Sequence, residues 1–269
     1  MIGASRNSLA LVQGTLRSRS GQGDLSALSA ELLAAADVLA GEKSLRQNLA
    51  DSGQPSAVRS ALINDVFGSK VSALTIEVLG EIVAARWSSD TDLVDAVELL
   101  GSQAAFVAAD KAGSLDRVES ELFHFGRAVQ ASSELQMTLT DPSLSAQTKS
   151  AIVGDLIGSK VDSITLGLIK HVAGHLRGRR VDSVLETLGN LAAEQRNQVV
   201  AEVRSAVSLD ANQTSRLSAA LSKITGKNVS INVAIDPSVL GGISVTIGED
   251  VIDGSIAARL ESARRSLLA

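Results

Sequence analysis

The sequence contains no cysteine and no tyrosine, one tryptophan, four phenylalanines and three prolines in 269 residues. Without cysteine there is no disulfide framework and no thiolate metal site, which suits a reducing cytoplasm. With aromatics at 2%, a core must be built from Leu, Val, Ile and Ala, and that favours long helices over a large sheet. Positive charge is also scarce. The 25 Lys and Arg against 30 Asp and Glu leave a net charge of −5, so no nucleic-acid partner is expected. No run approaches about 18 consecutive apolar residues. Direct membrane insertion is therefore not expected, and membrane association would go through partners.

What is present is helical patterning over a length that allows two or three modest domains. Residues Met1 to Gly23 carry Arg6, Arg17 and Arg19, several Ser and no acid, which faintly resembles a transit peptide. The segment lacks a clear cleavage pattern, and Leu9, Val12 and Leu16 share one face, so it reads as a first helix from Ser8 to Arg17. Asp24 starts a second helix with the stripe Leu25, Leu28, Leu32, Ala36 and Leu39, ended by Gly41. Short helices follow at Leu45 to Leu49 and, after Gly53-Gln-Pro55, at Ser56 to Phe67. Gly68-Ser69-Lys70 turns the chain, another helix runs to about Trp87, and the next extends from about Thr91 toward Ala109.

Shifted by 90 positions, the sequence matches itself without a gap. Glu31-Leu32 meets Glu121-Leu122, Asp51 meets Asp141, Gly68-Ser69-Lys70-Val71 meets Gly158-Ser159-Lys160-Val161, and Thr75 meets Thr165. This is the signature of a duplicated helical unit. The first helix also shifts onto Val97 to Ala108, the last helix of the first unit, so the two units are expected to share it. The expected domains are 1–109, 110–198 with the shared helix near 97–108, and 199–269.

The last segment changes period. Val199, Ala201, Val203 and Val207 read as one side of a strand, and Asp210 with Gln213 has capping-box spacing. Leu217, Ala220, Leu221 and Ile224 line a helix that stops at Gly226. Val229, Ile231, Val233 and Ile235 alternate as a second strand, and Ile243, Val245 and Ile247 as a third. Turns fall at Asp236-Pro237, Gly241-Gly242, Gly248 and Gly254. Ile256, Leu260, Ala263 and Leu267 then space a last helix, with Asp253 as its cap. The expected fold is mainly α, a duplicated helical bundle followed by a small C-terminal α/β domain.

The run Ile-Asp236-Pro237-Ser-Val-Leu240-Gly241-Gly242-Ile-Ser-Val-Thr-Ile-Gly248, followed by Val-Ile-Asp253-Gly-Ser255-Ile-Ala-Ala-Arg-Leu, resembles the C-terminal signature of the delta subunit of F-type ATP synthases. The mitochondrial relative is the oligomycin-sensitivity-conferring protein. The match is close over the last quarter and weaker over the helical part. The usual delta subunit carries one helical domain, so the duplication looks like the long form found in some actinobacteria. The resemblance implies a non-catalytic peripheral-stalk subunit on the cytoplasmic face of the plasma membrane. It implies contacts with the N-terminal helices of the alpha subunits, with beta subunits as a further contact, and with the C-terminal region of the b subunit. Asp236, Pro237, Leu240, Gly241, Gly242, Gly248, Asp253 and Ser255 are then the partner-contact or signature residues. No cofactor and no metal are expected. The other functional reading is a helical-repeat adaptor unrelated to ATP synthase.

Candidate chemical motifs are weak beside this. His171 and His175 have a chelating spacing, but no third ligand or catalytic Glu is visible nearby, so they read as structural histidines. Gly68-Ser69-Lys70 and Gly158-Ser159-Lys160 lack the strand-to-helix context of a phosphate loop and read as helix stops. Arg177-Gly-Arg-Arg180 reads as a solvated turn. Asp250 and Asp253 have no nucleophile or base beside them in sequence.

Overall fold

The structure is a computed structural model that describes residues 3–19, 21, 23–236, 239, 241–247 and 250–253. The chain divides into two compact units, Met1–Arg196 and Asn197–Ala269. The first is all helix: α1 (Ala4–Arg19), α2 (Leu25–Gly41), α3 (Lys43–Ala50), α4 (Ser56–Phe67), α5 (Ala73–Ala84), α6 (Asp90–Lys111), α7 (Leu115–Ala131), α8 (Ser133–Thr140), α9 (Ala146–Ile157), α10 (Ser163–Gly174) and α11 (Val181–Arg196).

Both ends of α2, α3, α4 and α5 recur ninety residues later in α7, α8, α9 and α10. The repetition has local causes. Asp24 caps α2 by accepting from the Ser26 and Ala27 amides. Ser72 caps α5 and Asp162 caps its counterpart α10. Asp51 accepts from the Gly53 amide at 2.9 Å, and Asp141 from the Ser143 amide at 2.8 Å, making the same turn twice.

A half-buried carboxylate locks each copy. Glu31 Oε2 on α2 accepts from the Ser72 amide at 2.9 Å and the Ser72 hydroxyl at 2.7 Å, and from Thr75 Oγ1 at 2.5 Å. Glu121 Oε2 on α7 accepts from the Asp162 amide at 2.8 Å and Thr165 Oγ1 at 2.6 Å. Burial alone would raise both carboxyls, but these hydrogen bonds, joined at Glu121 by the Arg117 guanidinium 2.7 Å away, outweigh it and hold each below its ordinary value of 4.5. Their contribution is thus fully present above about pH 4.5 and is lost as pH falls through the lower folded-state values. Thr75→Val and Thr165→Val are each expected to cost about 1.5 kcal/mol at neutral pH. In chemical denaturation that cost should shrink below pH 4, and a pH-independent loss would reject the charged hydrogen bond as its source.

The helical cores meet on α6, a helix of 22 residues and about 33 Å. Its Leu93, Val94, Ala96, Val97, Leu100 and Ala104 lie in the core built by α1 to α5. Its Ala105, Phe106 and Ala109 lie in the core built by α7 to α11, to which α2 also contributes Leu33. The fifth helix stops short of the expected Trp87. Arg59, buried on α4, donates to the carbonyls of Ala84 and Ala85, and Trp87 folds back so that its Nε1 donates to Ile82 at 2.8 Å.

The second compact unit holds β1 (Gln198–Ser205), α12 (Ala211–Thr225), β2 (Asn228–Ile235), β3 (Ile243–Ile247) and β4 (Asp250–Asp253). The sheet order is β2-β1-β3-β4, with β1 parallel to β2 and antiparallel to β3. Asp210 and Gln213 form the expected reciprocal capping box, and Gly226 ends α12 in the left-handed region. Ala201, Val203, Leu221, Val229 and Val245 make its buried core. Two expectations fail here. Val207 lies beyond β1 and is exposed, and Ala220 and Ile224 point outward because the buried face of α12 runs through Leu217 and Leu221. The expected helix from Ile256 lies outside the described residues.

Candidate functional site at the seam of the helical units

In the first unit, α1 holds the turn ahead of α6 through small hydroxyls. The Ser88 amide donates to Ser5 Oγ at 2.8 Å, Ser5 Oγ donates to Asp92 at 2.6 Å, and Ser8 Oγ donates to the Arg86 carbonyl at 2.6 Å. Ninety positions on, α6 faces the turn ahead of α11 in the same way, but Asp95 and Glu98 stand in place of the two serines. The facing turn supplies arginines. Arg177 Nη1 lies 2.9 Å from Asp95 Oδ1, its Nη2 contacts Glu98 Oε2, and Arg179 Nη2 lies 2.7 Å from Glu98 Oε1. Arg177 holds φ 50, an uncommon conformation for a residue with a side chain, and Gly178 follows at φ 78. The turn is exposed, as expected, but Arg177 and Arg179 reach back from it onto α6, while Arg180 pairs with Asp182 at the surface.

The same carboxylate reaches α10. His171 Nε2 lies 3.4 Å from Glu98 Oε1, and His171 Nδ1 lies 3.3 Å from Asp37 Oδ1 on α2. His175, which caps α10, brings its Nδ1 to 3.1 Å from the same Asp37 oxygen. Burial would push Glu98 up, but the nearby His171 imidazole, the Arg179 hydrogen bond and the charge of Arg177 bring it down to about 2. Burial would push His171 down, but Asp37 and Glu98 raise it to about 9. Beside this cluster a groove of about 630 Å³ runs between α2 and the α9–α10 pair, lined by small residues including Ser29, Ala30, Ala34, Ala146 and Gly167.

The histidine pair was legible from its spacing, whereas its acidic neighbours were not. Asp37 sits on another helix, and nothing local marks it. Glu98 carried a faint signal, as a carboxylate between Val97 and Leu100 on a face that is otherwise apolar. The glycine-serine-lysine turns are helix stops. Lys160 donates to the Leu156 carbonyl at 3.2 Å, and a Cβ at Gly68 or Gly158 would lie 2.5 Å from a helix carbonyl oxygen.

The signature residues lie in the second compact unit. Asp236 leaves β2 with its amide donating to Ser205 at 2.9 Å and its carbonyl accepting from Val239 at 3.1 Å. Gly241 and Gly242 follow with φ 66 and 80, a turn that side-chain-bearing residues rarely adopt. Asp253 ends β4 opposite Ser244. Pro237, Leu240, Gly248 and Ser255 lie outside the described residues.

The charged cluster ties α2, α6 and α10 together, and α6 closes the first copy as its last helix while it opens the second as its first. That is the build of a helical-repeat scaffold carrying a small α/β domain. A family model described as ATP synthase delta (OSCP) subunit matches residues 102–267. The ATP synthase subunit delta of Streptomyces coelicolor is 42% identical over 269 residues, covering 99% of this chain and 98% of its own. That of Nocardia farcinica is 42% identical over 237 residues, 88% of each chain, and that of Rhodococcus opacus 38% over 274 residues, 99% of each. The chain belongs to the ATP synthase delta (OSCP) subunit family, whose members are non-catalytic subunits of the membrane-associated synthase. No helix among the described residues is long and apolar enough to cross a membrane.

Proposed function

We propose that this chain is the stator link of its ATP synthase. It joins the catalytic head to the membrane-anchored b subunit and holds the head against rotor torque during proton-driven synthesis, as a peripheral protein on the cytoplasmic face of the plasma membrane. The observation that carries this reading is the family match from residue 102 to residue 267, which runs from within α6 to the C-terminal signature. In this reading the helical units, 1–109 and 110–198 with a shared helix, meet the N-terminal helices of the alpha subunits and border the beta subunits. An apolar stripe on such a helix would seat in a groove between helices. The domain 199–269 meets the C-terminal region of b through Asp236, Pro237, Leu240, Gly241, Gly242, Gly248, Asp253 and Ser255.

Copurification from cells should bring down alpha, beta and b chains together, and their absence would reject the assignment. The glycine pair supplies a finer test. Gly242 holds φ 80, where a β-branched side chain is strained by about 1–3 kcal/mol. Gly242→Val, through that strain or by blocking the close approach of a partner backbone, is expected to weaken b binding by about 1–3 kcal/mol in calorimetry. Unchanged affinity with an intact fold would remove the glycine pair from the contact.

A further inference from the structure

We propose that Asp37, His171 and His175 form a binding site for one divalent transition-metal ion of zinc type, clamping the first helical unit to the second. The donor set is two imidazole nitrogens and a carboxylate oxygen, the mixture that zinc accepts readily. Its spacing fits as well. Asp37 Oδ1 lies 3.3 Å from His171 Nδ1 and 3.1 Å from His175 Nδ1, and all three ligand atoms fall within 4.8 Å of one another. Tetrahedral ligands at about 2.0–2.1 Å from zinc are separated by about 3.3 Å. The two rings are already aligned by one helical turn, with centroids 5.2 Å apart and planes at 29°.

The surroundings do what an outer layer of a metal site does. A ligating imidazole commonly offers its second ring nitrogen to a carboxylate, which orients the ring and strengthens it as a ligand. Glu98 stands 3.4 Å from His171 Nε2, and Arg177 and Arg179 hold Glu98 in turn. The His171 side chain is 8% exposed, whereas Asp37 and His175 are 28% and 31% exposed and border the groove between α2 and α10. That groove gives the ion an entry and leaves room for water as a fourth ligand. The counterparts of Asp37, His171 and His175 in the other copy are Arg127, Glu81 and Ala85, so the duplication does not repeat the site. A metal there ties α2 to α10.

The full chain, purified without added histidines, would be titrated with Zn²⁺ by calorimetry and with Co²⁺ by visible absorption at neutral pH. We expect one equivalent of Zn²⁺, saturating at micromolar concentrations, and the intense d–d bands of four-coordinate Co²⁺. His175→Ala, at a partly exposed helix end, should weaken binding by more than about 100-fold while circular dichroism stays unchanged. Glu98→Gln, acting through His171, should weaken it by about 10-fold. His124→Ala, which alters the remaining histidine, should change nothing. Absence of a one-equivalent site, equal uptake by His175→Ala, or loss of uptake in His124→Ala would each overturn the proposal and leave the cluster as an ion-paired seam.

Discussion

Replacing Gly101 by leucine is expected to lower the thermal midpoint of the helical region by about 10 °C. Gly101 on α6 lies directly against Leu32 and Leu33 of α2. A Cβ there would meet Leu33 Cγ and Cδ2 at 3.0 Å and Leu32 Cβ at 3.3 Å. Leu32 belongs to the first core and Leu33 to the second. The helix therefore cannot move off to make room without opening one core or the other. Alanine would regain up to about 1 kcal/mol of helix propensity against a clash of a few tenths of an ångström, so Gly101→Ala should be close to neutral. Leucine adds three more carbons with no space, a strain of about 3–4 kcal/mol. At about 2–4 °C per kcal/mol for a region of this size, scanning calorimetry should register the shift. A change under about 2 °C would mean that the α2–α6 contact is looser than its distances imply.

Much of this architecture could be read from local pattern, because its causes are local. The limits of α4, the caps Asp24 and Asp210, and the repeated Gly-Ser-Lys turns follow from nearby residues. Repeated letters were visible too, but not what they do. Glu31 with Thr75, and Glu121 with Thr165, are a carboxylate and a hydroxyl that meet across two helices. Long-range pairing hid the rest. Trp87 continued a plausible helix until Arg59 took the last carbonyls. The seam cluster joins Asp37, Glu98, His171 and Arg177 from three helices and a turn, and no periodicity predicts which charged faces will turn toward one another. Ile224 was placed in the core because four apolar positions of α12 fit a stripe, but the stripe is narrower than that and leaves it outside.

Excising one period, by joining Leu100 directly to Leu191, should give a soluble protein that restores ATP synthesis poorly in cells. The junction keeps the helix in register, since Leu191 takes the place of Gly101. A leucine there clashes in the intact chain because Leu33 is trapped in the second core. In the shortened chain that core is gone, and Leu33 is free to turn outward as its counterpart Phe123 does at 65% exposure. The remaining bundle keeps Leu93, Val97 and Leu100 against α1 to α5. Helices of 16 residues such as α1 and α11 are about 24 Å long, so removing a unit shortens the link by a similar distance. On the proposed stator role, isolated partners should still bind while the assembled stalk no longer spans head to b. Full synthesis would show the second copy to be a neutral spacer. The shared helix makes a separate demand on the intact chain, because neither core closes without α6. Its helical part should therefore unfold in one transition, and two resolved transitions in calorimetry would show that the units are independent and that α6 does not couple them.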